Sequence, residues 1–126
     1  MAYVLSLRQP WAELILQGRQ TVETRSWNTA FRGEFFIHAS KQIDKNACEH
    51  FKILASSLKT GVIVGKAVLM ETKKYFASED FLADDHRHAA GFLEFSKPKF
   101  EFILKDVRRV EPVECKGALG FFKVKV

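Results

Sequence analysis

Cysteine is scarce in this chain: Cys48 and Cys115 are the only two among 126 residues, so at most one disulfide can form and a disulfide framework is excluded. That usage fits a reducing, cytoplasmic setting. Proline is nearly as rare, with three residues and few forced breaks. Apolar runs such as Val62-Ile63-Val64 and Ala67-Val68-Leu69-Met70 are only a few residues long. A helix that crosses a bilayer needs about 20, so no membrane association is expected. The opening residues Met1 to Arg8 lack a basic start followed by a long apolar stretch, and no secretory leader is expected. Also missing are a glycine-rich phosphate loop, a Cys-x-x-Cys pair, a zinc-protease helix motif and a nucleophile-elbow serine. The segment Asp84-Asp85-His86-Arg87-His88 has metal-ligating residue types, but Arg87 opposes a cation and the stretch reads as a solvated loop. No metal and no cofactor are expected.

What is present describes an ordinary globular chain, with 47% hydrophobic and 28% charged residues. Its length fits one domain over residues 1–126, and its 12 phenylalanines predict an aromatic-rich core. The formal net charge is +5, which admits an anionic partner. The charge is uneven. Residues 79–94 hold five acidic residues and one arginine, so the rest of the chain is distinctly basic. This acidic stretch would face away from an anionic ligand, repel it, or meet a basic protein partner.

The pattern predicts a strand over Val4–Leu7, then a short helix that starts near Pro10 and closes at Gly18. Strands follow at Thr21–Arg25 and Glu34–Ala39. Asp44 is placed to cap a helix to about Leu58, whose apolar residues Ala47, Cys48, Phe51, Leu54, Ala55 and Leu58 share one face. That makes Cys48 a core residue. Val62 to about Glu71 reads as a long strand, Ser78–Leu82 as a short helix, and Lys99–Leu104, Val107–Val113 and Phe121–Val126 as further strands. Five to seven strands with two clear helices, not regularly alternating, define an α+β protein. A strongly curved or closed sheet is the economical way to hide so many edges.

The chemistry concentrates in residues 5–41. On a strand, Thr21, Glu23 and Arg25 share one face and Val22 and Thr24 the other. A carboxylate and a guanidinium two residues apart can bridge each other, or can offer an acceptor and a fork of donors to a ligand. Arg8 and Gln9 stand where the first strand turns into the first helix, a place where polar groups can meet an anion. Trp27 follows Arg25 in a polar loop that also holds Arg32. Such interleaving of aromatic and basic residues suits stacking on an unpaired base, though a tryptophan can equally plug the mouth of a barrel. Trp11 reads as core. His38, among Phe36 and Ile37, reads as a hydrogen-bonded, half-buried histidine. Arg8, Arg32, Lys41 and Lys116 are candidate phosphate contacts if they converge.

The segments Ser6-Leu7-Arg8-Gln9-Pro10-Trp11-Ala12, Gly18 through Val22-Glu23-Thr24-Arg25-Ser26-Trp27, Arg32-Gly33 and His38-Ala39-Ser40-Lys41 closely resemble the activating-signal-cointegrator-homology (ASCH) family. Lys116 through Phe122 looks like that family's closing strand. The resemblance implies a small PUA-like β-barrel of about five to seven mostly antiparallel strands, flanked by two or three helices. It further implies a cleft around Gly18–Arg25 and binding of RNA or single-stranded nucleic acid, in RNA metabolism or transcription regulation. Arg8, Gln9, Gln20, Glu23, Arg25 and Trp27 would line the cleft, with Arg32, Lys41 and Lys116 at its rim. The alternative it implies is a hydrolase of acetylated cytidine nucleosides, or a ribonuclease, in the same cleft. Against that stands Gln20, which occupies the position of the family's motif lysine. An amide donates and accepts hydrogen bonds but cannot serve as a lysine nucleophile or base. Glu23 and Thr21 are the residual catalytic candidates, and the expectation leans toward binding without catalysis.

Overall fold

The computed structural model describes residues 1–75, 78–89 and 99–125. Its framework is one six-stranded sheet built from β1 (Ala2–Gln9), β2 (Val22–Arg25), β3 (Gly33–Ile43), β4 (Val62–Tyr75), β5 (Lys99–Glu114) and β6 (Phe121–Val124). The strand order is β2-β5-β4-β3-β1-β6, and only the β1–β3 pair is parallel. This is the mostly antiparallel PUA-like architecture, curled like a small barrel but not closed by hydrogen bonds. Helices α1 (Trp11–Leu16), α2 (Lys45–Phe51), α3 (Ser78–Ala83) and the single turn α4 (Asp85–His88) flank it.

Alternation along the strands explains the core. Leu5 and Leu7 of β1, Phe35, Ile37 and Ala39 of β3, Ala67 and Leu69 of β4, and Phe102 and Leu104 of β5 point to the same interior. Aromatic side chains close the gap between the sheet's two edges. Trp27, just past β2, lies edge-on to Phe102 at 5.3 Å and to Phe121 of β6 at 6.3 Å. A second cluster gathers Trp11 and Leu14 of α1 with Ala47 and Ala89. At Gly65 β4 passes close to its neighbours: a Cβ there would run into Leu16 Cδ2 and sit 2.6 Å from the Arg108 carbonyl oxygen. The β3–β4 and β4–β5 registers both shift beside it.

Several elements differ from the sequence expectation. The helix after Asp44 ends at Phe51 rather than near Leu58. Asp44 does cap it, Oδ1 accepting from Ala47 N–H at 2.9 Å. Lys52 then turns left-handed (φ 58°), Ile53 N–H donates to the Cys48 carbonyl and Lys52 N–H to that of Glu49. This closure lets Ile53 fold back onto the second cluster, leaving Leu54 exposed. The strands expected at Lys99–Leu104 and Val107–Val113 form one strand, β5, which matches the length of β4 through three register shifts. The segment Asp84–His88 is not a solvated loop: Asp85–His88 forms α4, and His88 is fully buried with Nε2 2.7 Å from the Phe81 carbonyl oxygen. Glu101 of β5 is buried, where it accepts a hydrogen bond from the Tyr75 phenol and lies 3.7 Å from Arg87. The last residues of the acidic stretch, 90–94, and Val126 of the expected closing strand lie outside the described residues.

Candidate functional site

The sheet leaves part of β1 uncovered. β6 pairs with β1 only from Ala2 to Leu5, so Ser6 and Arg8 run on without it. Into this gap opens a cleft of about 1140 Å³. β1 contributes Ser6 and Arg8, α1 Trp11, β2 Glu23 and Arg25, the following loop Trp27, the far end of β3 Ser40 and Lys41, and the loop before β6 Gly117 to Gly120. Phe81 of α3 completes the wall.

Glu23 and Arg25 share a face, as their spacing requires. Glu23 is 8% exposed, its Oε1 accepts the Thr24 N–H at 2.9 Å, and its Oε2 lies 3.7 Å from Arg25 Nη2. The same Arg25 nitrogen donates to the Ser6 carbonyl at 2.7 Å. The guanidinium thus occupies the edge position where β6 has ended. Burial pushes the Glu23 carboxyl above its ordinary pKa, and Arg25 offsets this in part, with smaller help from the Thr24 N–H, Arg8 and His88. Each arginine of the cleft is set over a tryptophan: Arg8 lies 5.3 Å from the Trp11 ring centroid and Arg25 5.9 Å from that of Trp27. The arrangement offers a buried carboxylate, two guanidinium groups and apolar ring surface within one concavity. It can hold a planar heterocycle with an anionic substituent.

A second cavity of about 750 Å³ adjoins the first, with Ser40, Lys41 and Gly117 lining both. His38, Thr60, Glu114, Cys115 and Lys116 line its remainder. Between the two sits a pair that sequence reading did not assign a role: Ser6 Oγ is 2.7 Å from His38 Nδ1, and His38 Nε2 is 2.6 Å from the Cys115 carbonyl. A carbonyl only accepts, so Nε2 carries a proton, and in the neutral ring Nδ1 accepts from the serine hydroxyl. Ser6 and His38 face each other in the parallel β1–β3 register, a tertiary pairing that local pattern does not encode.

Of the residues singled out from sequence, the fold brings Arg8, Glu23, Arg25, Trp27 and Lys41 to the cleft, and Lys116 to the adjoining cavity. The others stand elsewhere. Gln9 is buried, with Nε2 donating to the Lys59 carbonyl at 2.9 Å and Oε1 accepting from Glu13 N–H at 3.0 Å. Gln20 is buried, and its Nε2 donates to the Val22 carbonyl at 2.8 Å, while its Oε1 has no hydrogen-bond partner among the described residues. Neither glutamine lines either cavity among the described residues. Arg32 reaches across to β4, donating to Thr72 Oγ1 at 3.1 Å. Thr21 is exposed, and its N–H donates to the Arg87 carbonyl at 2.8 Å. Trp11 is buried core, as expected, and also a wall of the cleft; its Nε1 donates to the Ala89 carbonyl at 3.2 Å. Phe81 was missed because it lies in the acidic stretch, where no motif marks it.

The fold is PUA-like. The model of the ASCH domain matches residues 5–114, and the chain belongs to that family. The ASCH protein of Zymomonas mobilis superposes with a TM-score of 0.68 at 16% identity, over 98% of this chain and 87% of that one. A serine-to-alanine variant of the same protein gives 0.67 at 15% identity, over 98% of this chain and 88% of that one. Such low identity carries the fold alone. In sequence, 38 residues are 47% identical to mouse Activating signal cointegrator 1 and equally to the human protein. The match spans 30% of this chain and 6% of the length of those relatives.

Proposed function

We propose that this chain binds RNA or single-stranded nucleic acid in the cleft that Glu23 and Arg25 of β2 line with Arg8, Trp11, Trp27 and Lys41. The observation that carries the reading is the convergence of Arg8, Arg25 and Lys41 with Trp11, Trp27 and buried Glu23 in one concavity. Base–aromatic stacking contributes about 1–3 kcal/mol per base, and cations beside the rings meet the phosphates. Glu23 and Arg25 supply an acceptor and donors for a base edge. Fluorescence anisotropy with short single- and double-stranded RNA and DNA, titrated with salt, tests it. Binding that weakens steeply with salt and drops in Arg25→Ala supports the reading; no binding of any oligomer at low salt refutes it. Glu23→Ala and Arg25→Ala variants that both bind like the parent chain would refute the assigned roles.

A second reading, hydrolysis of an acetylated cytidine nucleoside, is favoured by the Ser6–His38 pair. Ser6 Oγ would attack the acetyl carbonyl while its proton passes to His38 Nδ1 and on to the leaving amine; water would then release acetate from Ser6. Turnover of N4-acetylcytidine by the parent chain that is lost in Ser6→Ala supports this reading, and absence of turnover refutes it.

A further inference from the structure

We infer that the second cavity is a binding site in its own right, for a small phosphorylated polyol such as a sugar phosphate, with the phosphate held by Lys41 and Lys116 and the hydroxyl groups meeting Glu114, Ser40 and Thr60. The inference is independent of what the larger cleft binds.

The cavity has the size and the preformed floor of a small-ligand site. Its volume of about 750 Å³ falls within the roughly 300–1,000 Å³ usual for such pockets. Backbone hydrogen bonds tie the floor together. Gly61 N–H donates to the Ala39 carbonyl of β3 at 2.7 Å, and the Gly61 carbonyl accepts from Cys115 N–H at 3.2 Å. Gly61 is left-handed (φ 71°), and the Lys41 stem lies against its bare backbone, where a Cβ would come within 3.3 Å of Lys41 Cε. The stem is thus confined before any ligand arrives, which lowers the entropy cost of using its ammonium group.

Charge and donors select an anion. Lys41 and Lys116 are exposed and make no ion pair among the described residues. Against these two cations the lining sets a single carboxylate, Glu114. Burial pushes the Cys115 thiol above its ordinary pKa, so it adds no charge near neutral pH. Ser40 Oγ accepts from Gln42 N–H at 3.3 Å, which leaves its own hydrogen to donate. Two ammonium groups with neighbouring hydroxyls suit the several acceptor oxygens of a phosphate, which lysine meets as a point charge.

The rest of the lining narrows the class. No phenylalanine, tyrosine or tryptophan lines this cavity among the described residues, whereas Trp11, Trp27 and Phe81 line the larger cleft. A nucleobase finds no such ring to stack on here. Glu114 repels a bare anion but accepts hydrogen bonds from ligand hydroxyls, so a phosphate carried on a polyol fits better than phosphate alone.

The test is calorimetric titration of the chain with ribose 5-phosphate, glucose 6-phosphate and glycerol 3-phosphate, beside inorganic phosphate and ribose. Lys116 and Glu114 line the second cavity and not the cleft, and Arg25 the reverse, so their alanine variants locate the binding. At least one ester should bind about 10-fold or more tightly than inorganic phosphate or ribose, and Lys116→Ala should weaken it about 10-fold. Glu114→Ala should narrow the preference for the ester over inorganic phosphate, and Arg25→Ala should bind like the parent chain. No binding of any ester, or inorganic phosphate or ribose binding as tightly as the esters, overturns the inference. So does a preference unchanged in Glu114→Ala, or a loss in Arg25→Ala with none in Lys116→Ala.

Discussion

Replacing Glu23 by glutamine should stabilise the ligand-free protein at neutral pH while weakening what the cleft binds. The carboxyl is 8% exposed, and burial outweighs Arg25, the Thr24 N–H, Arg8 and His88 combined, so its pKa is raised in the folded state. The folded chain therefore holds this proton more tightly than the unfolded chain. Glu23 then costs stability as pH climbs from the ordinary carboxylate value through the raised one, and the full cost is present above that window. Glutamine keeps an oxygen for the Thr24 N–H, removes the buried charge and forfeits the 3.7 Å pairing with Arg25. Because desolvation is the larger effect, the neutral isostere wins by about 0.5–2 kcal/mol, in the range of stability regained at functional sites. Each kcal/mol is worth roughly 2–8 °C in a chain of this size class. Calorimetric melts of both chains at pH 7 and pH 4 should show a higher Tm for Glu23→Gln at pH 7 and a gap that narrows at pH 4, where the native carboxyl is protonated. A lower Tm at pH 7, or a gap independent of pH, refutes the reasoning.

Three other outcomes follow from the packing. Gly65→Ala sets a methyl against Leu16 and the Arg108 carbonyl oxygen, and should cost about 1–3 kcal/mol in urea unfolding, with an unchanged midpoint contradicting the close approach. Tyr75→Phe removes the phenol that lies between Asp84 and Glu101, whose single proton serves one of the two carboxylates at a time, and so leaves the pair short of a donor. It should destabilise by about 1–3 kcal/mol and speed amide exchange in α3 and α4, and parent-like exchange there would show that the phenol does not hold these helices. Glu13, held below its ordinary pKa chiefly by its bond from Arg109, adds stability above the unfolded carboxylate value and loses it as pH falls through the lowered one. Since Arg109 is more than half exposed, Glu13→Gln should cost less than about 1 kcal/mol at pH 7 and nearly nothing in high salt, and a cost indifferent to salt would exclude an ion pair.

Local pattern carried much of the fold. The short apolar run Phe35-Phe36-Ile37 with Ala39 marks β3, Asp44 marks the start of α2, and the spacing of Glu23 and Arg25 places both on one strand face. The limits were equally physical. Periodicity cannot tell which apolar residues a helix keeps. Ala55 and Leu58 fit the helical face of α2, yet a left-handed Lys52 and the packing of half-buried Ile53 on the second cluster end the helix seven residues short of Leu58. A buried Glu101 and a buried His88 look like surface residues until their partners arrive from β4 and α3.

For the site, the sequence alone determined which charged and aromatic residues were available, and that Glu23 and Arg25 act as a pair. Only the tertiary structure decided which of them converge. Gln9 and Gln20 stand beside cleft residues in the chain yet turn inward to backbone carbonyls, because buried amides must find partners. Ser6 and His38 meet through a parallel pairing 32 residues apart, and Lys41 and Lys116 border one cavity from opposite parts of the chain. Strand order and the early end of β6 open the cleft, and these depend on how the whole sheet closes rather than on any neighbouring residues.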